Sequence, residues 1–275
     1  MAKQQIIYVA SLYHSGSTLL DGLLSRNPSA VGCGEVYKLY FDGPEKFCTC
    51  GKTARECELW SKVLSKNVSC LNDFYSELFG VVKNLYGNRL IVDSSKCHPL
   101  LYNSDVGFKS LSVLADRKDV DLKVIFLMRE PRSWARAIVR RQSRIEKENK
   151  KISYLFRIRN ILLIRYIQWM IGNKKILDFL TGKNISFCSI TYEDLTTDVD
   201  STLNKVDSFI GENQSTQNKS SNGVSHILVG NPSRFSFIKD PIVKYDVRWL
   251  GEVSIISDFL FFLILRICGK KLMKW

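Results

Sequence analysis

Residues 5–26 read QIIYVASLYHSGSTLLDGLLSR. Ile6 to Val9 is a short apolar run rich in β-branched residues, the pattern of a buried strand. The small-residue turn His14-Ser15-Gly16-Ser17-Thr18 follows, and then Leu19, Leu20, Leu23 and Leu24 fall at helical spacing. A strand, a tight Gly/Ser turn and a helix start make an anion cradle. The N–H groups of the first helical turn lack intrahelical acceptors, and the macrodipole adds partial positive charge there. The predicted donors to a phosphate are the backbone N–H groups of Ser15, Gly16, Ser17, Thr18 and Leu19, with the hydroxyls of Ser17 and Thr18.

The same stretch restricts the phosphate donor. A nucleoside-triphosphate loop reads GxxxxGK[ST]. Aligned on Gly16 and Thr18, the lysine position holds Ser17 and the first glycine position holds Ser11. That lysine contacts β- and γ-phosphates, and the neighbouring hydroxyl holds Mg²⁺. A loop without it suits a shorter phosphate chain.

Working outward, strand patterns recur at 5–10, 89–93, 123–128 and 185–190, with helical patterns between them. This alternation predicts an α/β fold: a P-loop-like parallel β-sheet flanked by helices, in a single domain. Residues 134–180 read as helices. The first carries Arg136, Arg140, Arg141, Arg144 and Lys147, which are expected to form a solvated face. Asn160 to Leu180, with Arg165 and two lysines, is expected to be core. Residues 211–225, GENQSTQNKSSNGVS, are predicted to be a mobile loop.

At 275 residues with 45% hydrophobic content, the chain is long enough for a large core, so disorder is not the default. Forty basic and 27 acidic residues give a formal charge of +13, which points to an anionic ligand or surface. No secretory signal is expected, because the first apolar run is short and leads into the phosphate loop. A cytoplasmic location follows, with peripheral membrane contact as a further expectation. That contact rests on residues 254–275, an apolar helix, IISDFLFFLILRIC, closed by GKKLMKW. Asp258 and Arg266 interrupt it, so a buried amphipathic helix is the alternative.

Three more segments complete the pattern. Arg129-Glu130-Pro131-Arg132 follows the strand KVIFLM, Thr191-Tyr192-Glu193-Asp194-Leu195 follows ISFCSI, and HILVGNPSRF spans 226–235. With SGSTLL, this set and order resemble the sulfotransferases that use 3′-phosphoadenosine-5′-phosphosulfate (PAPS). The resemblance runs from about residue 5 to 250. It is nearest to the bacterial branch, which shares the GNxxR segment and a CxCG segment near the N-terminus.

The resemblance implies PAPS as co-substrate and sulfuryl transfer to a hydroxyl or amine. Positioning and electrostatics carry such a transfer, as in phosphoryl transfer, and no metal is expected in it. Relatives place a lysine or arginine before the SG pair, against the leaving oxygen. Here that residue is His14, whose charge depends on pH. Arg129 matches the arginine of the 3′-phosphate site. Its usual serine partner, eight residues on, is Ala137 here, with Ser133, Arg132 or Arg136 as candidate replacements. Asn231 and Arg234 match further nucleotide donors, and Tyr192 the tyrosine near the adenine.

For the base, Lys96-Cys97-His98-Pro99 resembles a KTHxP segment in which the lysine assists transfer and the histidine takes the acceptor proton. Glu35, in VGCGEVY, matches the glutamate base of other branches. Both His98 and Glu35 stay open, and Lys96 is common to both alignments. His226 is expected to order the GN loop.

Cys48, Cys50 and Cys57 lie in CTCGKTAREC, without the paired CxxC spacing of a strong zinc site. A structural loop feature, zinc and a disulfide are the alternatives. By resemblance, residues 30–88 form a lid or acceptor-side insertion. A small-molecule, glycan or lipid acceptor is expected, and no nucleic acid. The competing functions are a P-loop kinase or nucleotide hydrolase, and a catalytically degenerate nucleotide-binding protein.

Overall fold

The computed structural model describes residues 3–42, 47–97, 106–148, 162–211, 223–235 and 243–252, together with 259, 261–263 and 266. His98, residues 212–222 of the expected mobile loop and most of the C-terminal helix fall outside them. Among the described residues, no helix is long and apolar enough to cross a membrane.

Six parallel strands form one sheet in the order β5-β4-β1-β3-β2-β6. They are β1 (Gln4–Ser11), β2 (Ala30–Gly34), β3 (Leu90–Asp93), β4 (Val120–Met128), β5 (Phe187–Thr191) and β6 (Val224–Ser225). The four strands read from the sequence are β1, β3, β4 and β5. The central ones are apolar almost throughout because both sheet faces are covered. Alternation then sorts their side chains between two layers. Ile6, Tyr8 and Ala10 of β1, with Val124 and Phe126 of β4, join the layer built on Trp60 and Trp134. Ile7, Val9, Ile125 and Leu127 join the layer under Leu19, Leu20, Leu23 and Leu24.

Residues 30–34 depart from the expected insertion, since they form strand β2 between β3 and β6. Helix α1 (Ser17–Leu24) holds this glycine-rich strand close. A Cβ on Gly32 would sit 1.8 Å from the Ser25 hydroxyl. Asp21 of α1 is fully buried and accepts from the Gly34 N–H at 3.0 Å and the Ser94 hydroxyl at 2.6 Å. Burial pushes its carboxyl up to about 7, against the hydrogen bonds of Ser94 and Ser25. One side chain thus joins the ends of β2 and β3.

Helices α2 (Val36–Asp42), α3 (Trp60–Leu64), α4 (Leu71–Tyr86) and α5 (Val106–Ala115) occupy the connections around β3. After β4 come α6 (Pro131–Glu148) and α7 (Leu162–Gly182), as expected for 134–180. Arg165 of α7 is fully buried and paired with the side-chain oxygens of Gln168 and Gln142, each at 2.7 Å. The chain moves from β1 through β2 to β3 on one side, then crosses to β4 on the other. The crevice beyond the carboxyl ends of β1, β3 and β4 is therefore the switch point where such sheets bind ligands.

Candidate active site

Most of the expected site residues follow the carboxyl end of a strand. His14 to Thr18 follow β1, Glu35 follows β2, Lys96 follows β3, Arg129 follows β4 and Tyr192 follows β5. Asn231 and Arg234 come in the loop after β6.

The β1–α1 turn requires two left-handed residues, His14 with φ 66° and Gly16 with φ 96°. Gly16 is also pressed by Tyr192, whose ring carbon lies 2.6 Å from where a Cβ would stand. Only glycine satisfies both constraints. No side chain caps α1, so its opening amides face the turn without a protein carboxylate. Leu19 departs from expectation: its N–H donates to the Gly16 carbonyl at 2.9 Å, inside the helix. The Thr18 hydroxyl accepts from the Asn231 N–H at 3.3 Å, which docks the GN loop on the turn. Arg234 turns back on its own loop, donating to the carbonyls of Gly230 at 3.2 Å and Asn231 at 3.3 Å.

Two indoles from α6 and α7 brace the site, Trp134 at the β1–α1 turn and Trp169 at the end of β4. Trp134 Nε1 donates to the Tyr13 carbonyl at 2.6 Å, and Trp169 Nε1 to the Arg129 carbonyl at 2.8 Å. His14 Nε2 lies 3.3 Å from Arg141 Nη1. Guanidinium only donates, so Nε2 is the acceptor in this contact. A second cation thus stands beside the residue expected to carry charge.

On one side of the turn sits a carboxylate with two ammonium groups. Glu35 is 3% exposed, its Oε1 paired with Lys96 Nζ and its Oε2 2.7 Å from Lys38 Nζ. Burial would push this carboxyl up, but Lys96 and then Lys38 outweigh it and hold it at about 2. Both ammonium groups lie over the Tyr13 ring, at 5.2 Å for Lys38 and 5.5 Å for Lys96. Lys38 was missed in the sequence, although its i,i+3 spacing from Glu35 across the start of α2 is a readable pairing signal.

On the other side sits a guanidinium cluster. Arg129 donates from Nε to the Ser133 hydroxyl at 2.8 Å, from Nη1 to the His14 carbonyl at 3.1 Å and from Nη2 to Asp246 at 3.1 Å. Its guanidinium lies 4.3 Å from the centre of the Tyr192 ring. Of the three candidate partners, Ser133 is the one that meets Arg129. Arg132 pairs with Glu130 at 2.5 Å and Arg136 with Glu252 at 4.0 Å. Asp246 also accepts from Arg140 at 3.1 Å and from Arg248 Nε at 2.7 Å. The Arg248 hydrogen bonds, against burial and with help from Arg129, hold its carboxyl well below the ordinary range.

This corrects the solvated-face reading of α6. Arg136 and Arg140 are half-buried against Glu252 and Asp246, whereas Arg141 is exposed as expected, with its Nη1 3.3 Å from His14 Nε2. The side chains of Arg144 and Lys147 fall outside the described residues.

The cysteine segment packs against the chain leading into the GN loop. The Ile227 N–H donates to the Thr49 hydroxyl at 2.9 Å, and Trp60 Nε1 to the His226 carbonyl at 2.6 Å. None of Cys48, Cys50 and Cys57 is in a disulfide, so that alternative is not realised here.

The architecture is that of known sulfotransferases. The sulfotransferase domain of the Synechococcus PCC 7002 olefin synthase superposes with a TM-score of 0.54, 17% identity and coverage of 96% of this chain and 95% of that one. For the sulfotransferase domain of the curacin biosynthetic pathway, the values are 0.50, 16%, 96% and 98%. Mouse sulfotransferase SULT7A1, solved in complex with PAP, gives 0.53, 12%, 98% and 85%. The chain therefore has the sulfotransferase fold: one parallel six-stranded sheet with helices on both faces. No family model and no curated protein matches the sequence.

Proposed function

We propose that the protein is a PAPS-dependent sulfotransferase. The observation that carries this reading is the contact between the β1–α1 turn and Arg129. The guanidinium that bonds the turn's own His14 carbonyl also belongs to a cluster of three arginines around one carboxylate. An anion cradle at a helix start and an arginine cluster stand side by side, as a nucleotide with separate 5′- and 3′-phosphates requires. PAP, the nucleotide bound by mouse SULT7A1, has that shape.

In this reading the turn holds the 5′-phosphate, and Arg129 with Ser133 holds the 3′-phosphate. Tyr192 lies against the adenine side, and Asn231 and Arg234 close over the nucleotide. Lys96 contacts the sulfuryl and bridging oxygens. Its departure from Glu35 removes the largest cause of that group's low proton affinity. Glu35 then becomes a usable base for the acceptor. His98 remains the other candidate for that role. The acceptor oxygen loses its proton to the base and forms a bond to sulfur. The bond from sulfur to the bridging oxygen breaks, and its electron pair leaves on the 5′-phosphate. His14 with Arg141 offsets that charge. The acceptor is a small molecule, a glycan or a lipid headgroup, met in the cytoplasm or at a membrane surface that the basic charge favours.

The test compares PAP with 5′-AMP by calorimetry without added Mg²⁺, in wild type and Arg129→Lys. PAP should bind wild type about 10²-fold more tightly than 5′-AMP, since hydrogen bonds to charged groups are worth about 1.5–3 kcal/mol each. Arg129→Lys should erase most of that difference. Equal binding of the two nucleotides overturns the proposal, and Mg²⁺-dependent ATP binding would favour the kinase alternative.

A further inference from the structure

Away from the phosphate turn, four metal-ligating side chains converge between the cysteine segment and the chain entering the GN loop. The ligand atoms of Cys48, Cys50, Cys57 and His226 all lie within 4.8 Å of one another. Cys48 Sγ is 3.7 Å from Cys57 Sγ, and His226 Nδ1 is 3.6 Å from Cys48 Sγ and 3.2 Å from Cys57 Sγ. A tetrahedral zinc with Zn–S of about 2.3 Å and Zn–N of about 2.0–2.1 Å has edges of about 3.8 Å between sulfurs and about 3.5 Å between sulfur and nitrogen. The three spacings among Cys48, Cys57 and His226 fit those edges, and Cys50 Sγ lies within 4.8 Å of the other three ligand atoms.

The outer contacts suit a ligand histidine. His226 Nε2 lies 2.7 Å from the Tyr86 hydroxyl, which donates in turn to the Glu58 carboxylate. Because the hydroxyl hydrogen goes to Glu58, Tyr86 accepts from Nε2–H. That fixes the tautomer and aims the Nδ1 lone pair at the thiols, the usual outer-sphere arrangement of metal-bound histidine. The segment itself is tightly turned: the Cys48 N–H donates to the Lys52 carbonyl at 2.8 Å and the Gly51 N–H to the Cys48 carbonyl at 2.9 Å. Cys48, Cys57 and His226 are buried, and Cys50 closes the exposed corner.

We infer that Cys48, Cys50, Cys57 and His226 form a closed structural zinc site. Three thiolates and an imidazole in a tetrahedron select zinc over hard, oxygen-preferring cations, and four protein ligands leave no position for catalysis. Binding displaces the thiol protons to solvent and staples residues 48–57 to the chain that carries Asn231 and Arg234. Arg234 strengthens the same junction by donating to the Phe47 carbonyl at 3.3 Å. The inference does not depend on the sulfotransferase reading, because it concerns neither the nucleotide nor the acceptor.

The test is elemental analysis of the full chain purified under reducing conditions, followed by cobalt titration of the stripped protein. About one zinc per chain is expected, as for a folding-coupled site. Cobalt should give tetrahedral d–d bands with a thiolate charge-transfer band. Cys50→Ser and Cys57→Ser should weaken the charge-transfer band and loosen the metal, whereas Cys70→Ser, an exposed cysteine outside the cluster, should change neither. His226→Cys should retain the metal with a stronger charge-transfer band. Zinc below about a tenth per chain together with a silent cobalt titration of reduced wild type overturns the site. A cobalt spectrum indifferent to Cys48→Ser, Cys50→Ser and Cys57→Ser overturns it equally.

Discussion

The two ion clusters flanking the β1–α1 turn are built differently. On the β2–β3 side, one deeply buried carboxylate holds two ammonium groups, and the set carries a single surplus positive charge. On the β4 side, Asp246 holds three guanidiniums and Glu252 pairs with Arg136 and Arg140, so four guanidiniums meet two carboxylates and the surplus is two. Ammonium groups are point charges on flexible stems, which can leave one partner for another. Guanidinium forks are fixed in geometry and match phosphate oxygens in pairs. The lysine side is therefore suited to act on a group in transfer, and the arginine side to hold a group that stays bound. Equal basicity by composition conceals this division of labour.

The largest expected effect comes from breaking the lysine side. Lys96→Met leaves Glu35 paired with Lys38, so the fold should persist. Sulfuryl transfer to any acceptor should fall about 10²–10³-fold in kcat, the usual cost of deleting one preorganised charge donor. PAP, which lacks the sulfuryl group, should bind within about threefold of wild type, because an interaction made only in the transition state does not contribute to ground-state affinity. Steady-state rates with calorimetry read both quantities. Lost PAP affinity with unchanged kcat would reverse the roles of the two clusters.

The legible part of this architecture is the part carried by local pattern. Ile6 to Val9 alternate between two buried layers, and SGST stands at the strand's end, so strand, turn and helix start are all readable from neighbouring residues. Arg129 and Tyr192 are readable locally only as residues that follow a strand, and their expected part in the site rests on the resemblance to the family's motifs. Strand β2 was not, because AVGCG holds two glycines and one β-branched residue. It is a strand through its pairing with β3 and β6, and Asp21 of α1 with the following Ser25 leaves room only for glycine at Gly32. Asp246 was not legible either, since it lies 117 residues from Arg129 and 106 from Arg140. His226 is 169 residues from Cys57, so the four-ligand cluster follows no short spacing rule. Charge pairing across such separations has no periodicity to read.

A smaller effect sharpens the contrast through pH. Glu35 sits at about 2 in the folded protein against 4.5 for the ordinary group. Its contribution to stability is therefore fully present above about pH 4.5 and lost as pH falls through the folded value. The linkage is on the order of 3 kcal/mol for a shift of this size. Glu35→Gln should be less stable at neutral pH, yet should show a flatter decline between about pH 5 and pH 2. Urea titrations across that range measure it. Parallel acid limbs for the two proteins would mean that Lys96 and Lys38 do not hold this carboxylate in solution.

The smallest expected effect tests whether the arginine side is held in reserve by its own carboxylate. Asp246 accepts from Arg129, Arg140 and Arg248, and so occupies donors that a phosphate would use. Asp246→Asn keeps an accepting oxygen but removes the competing charge. PAP affinity should rise by about two- to fivefold, the range set by the worth of partly exposed ion pairs. The gain should shrink as salt is added, because the added ions screen the same attraction. 5′-AMP affinity should stay level, since the proposed function assigns its single phosphate to the turn. A loss of PAP affinity would assign the opposite role to Asp246: an anchor that holds three mutually repelling guanidiniums in place for the phosphate, with their surplus charge usable only while the carboxylate is there.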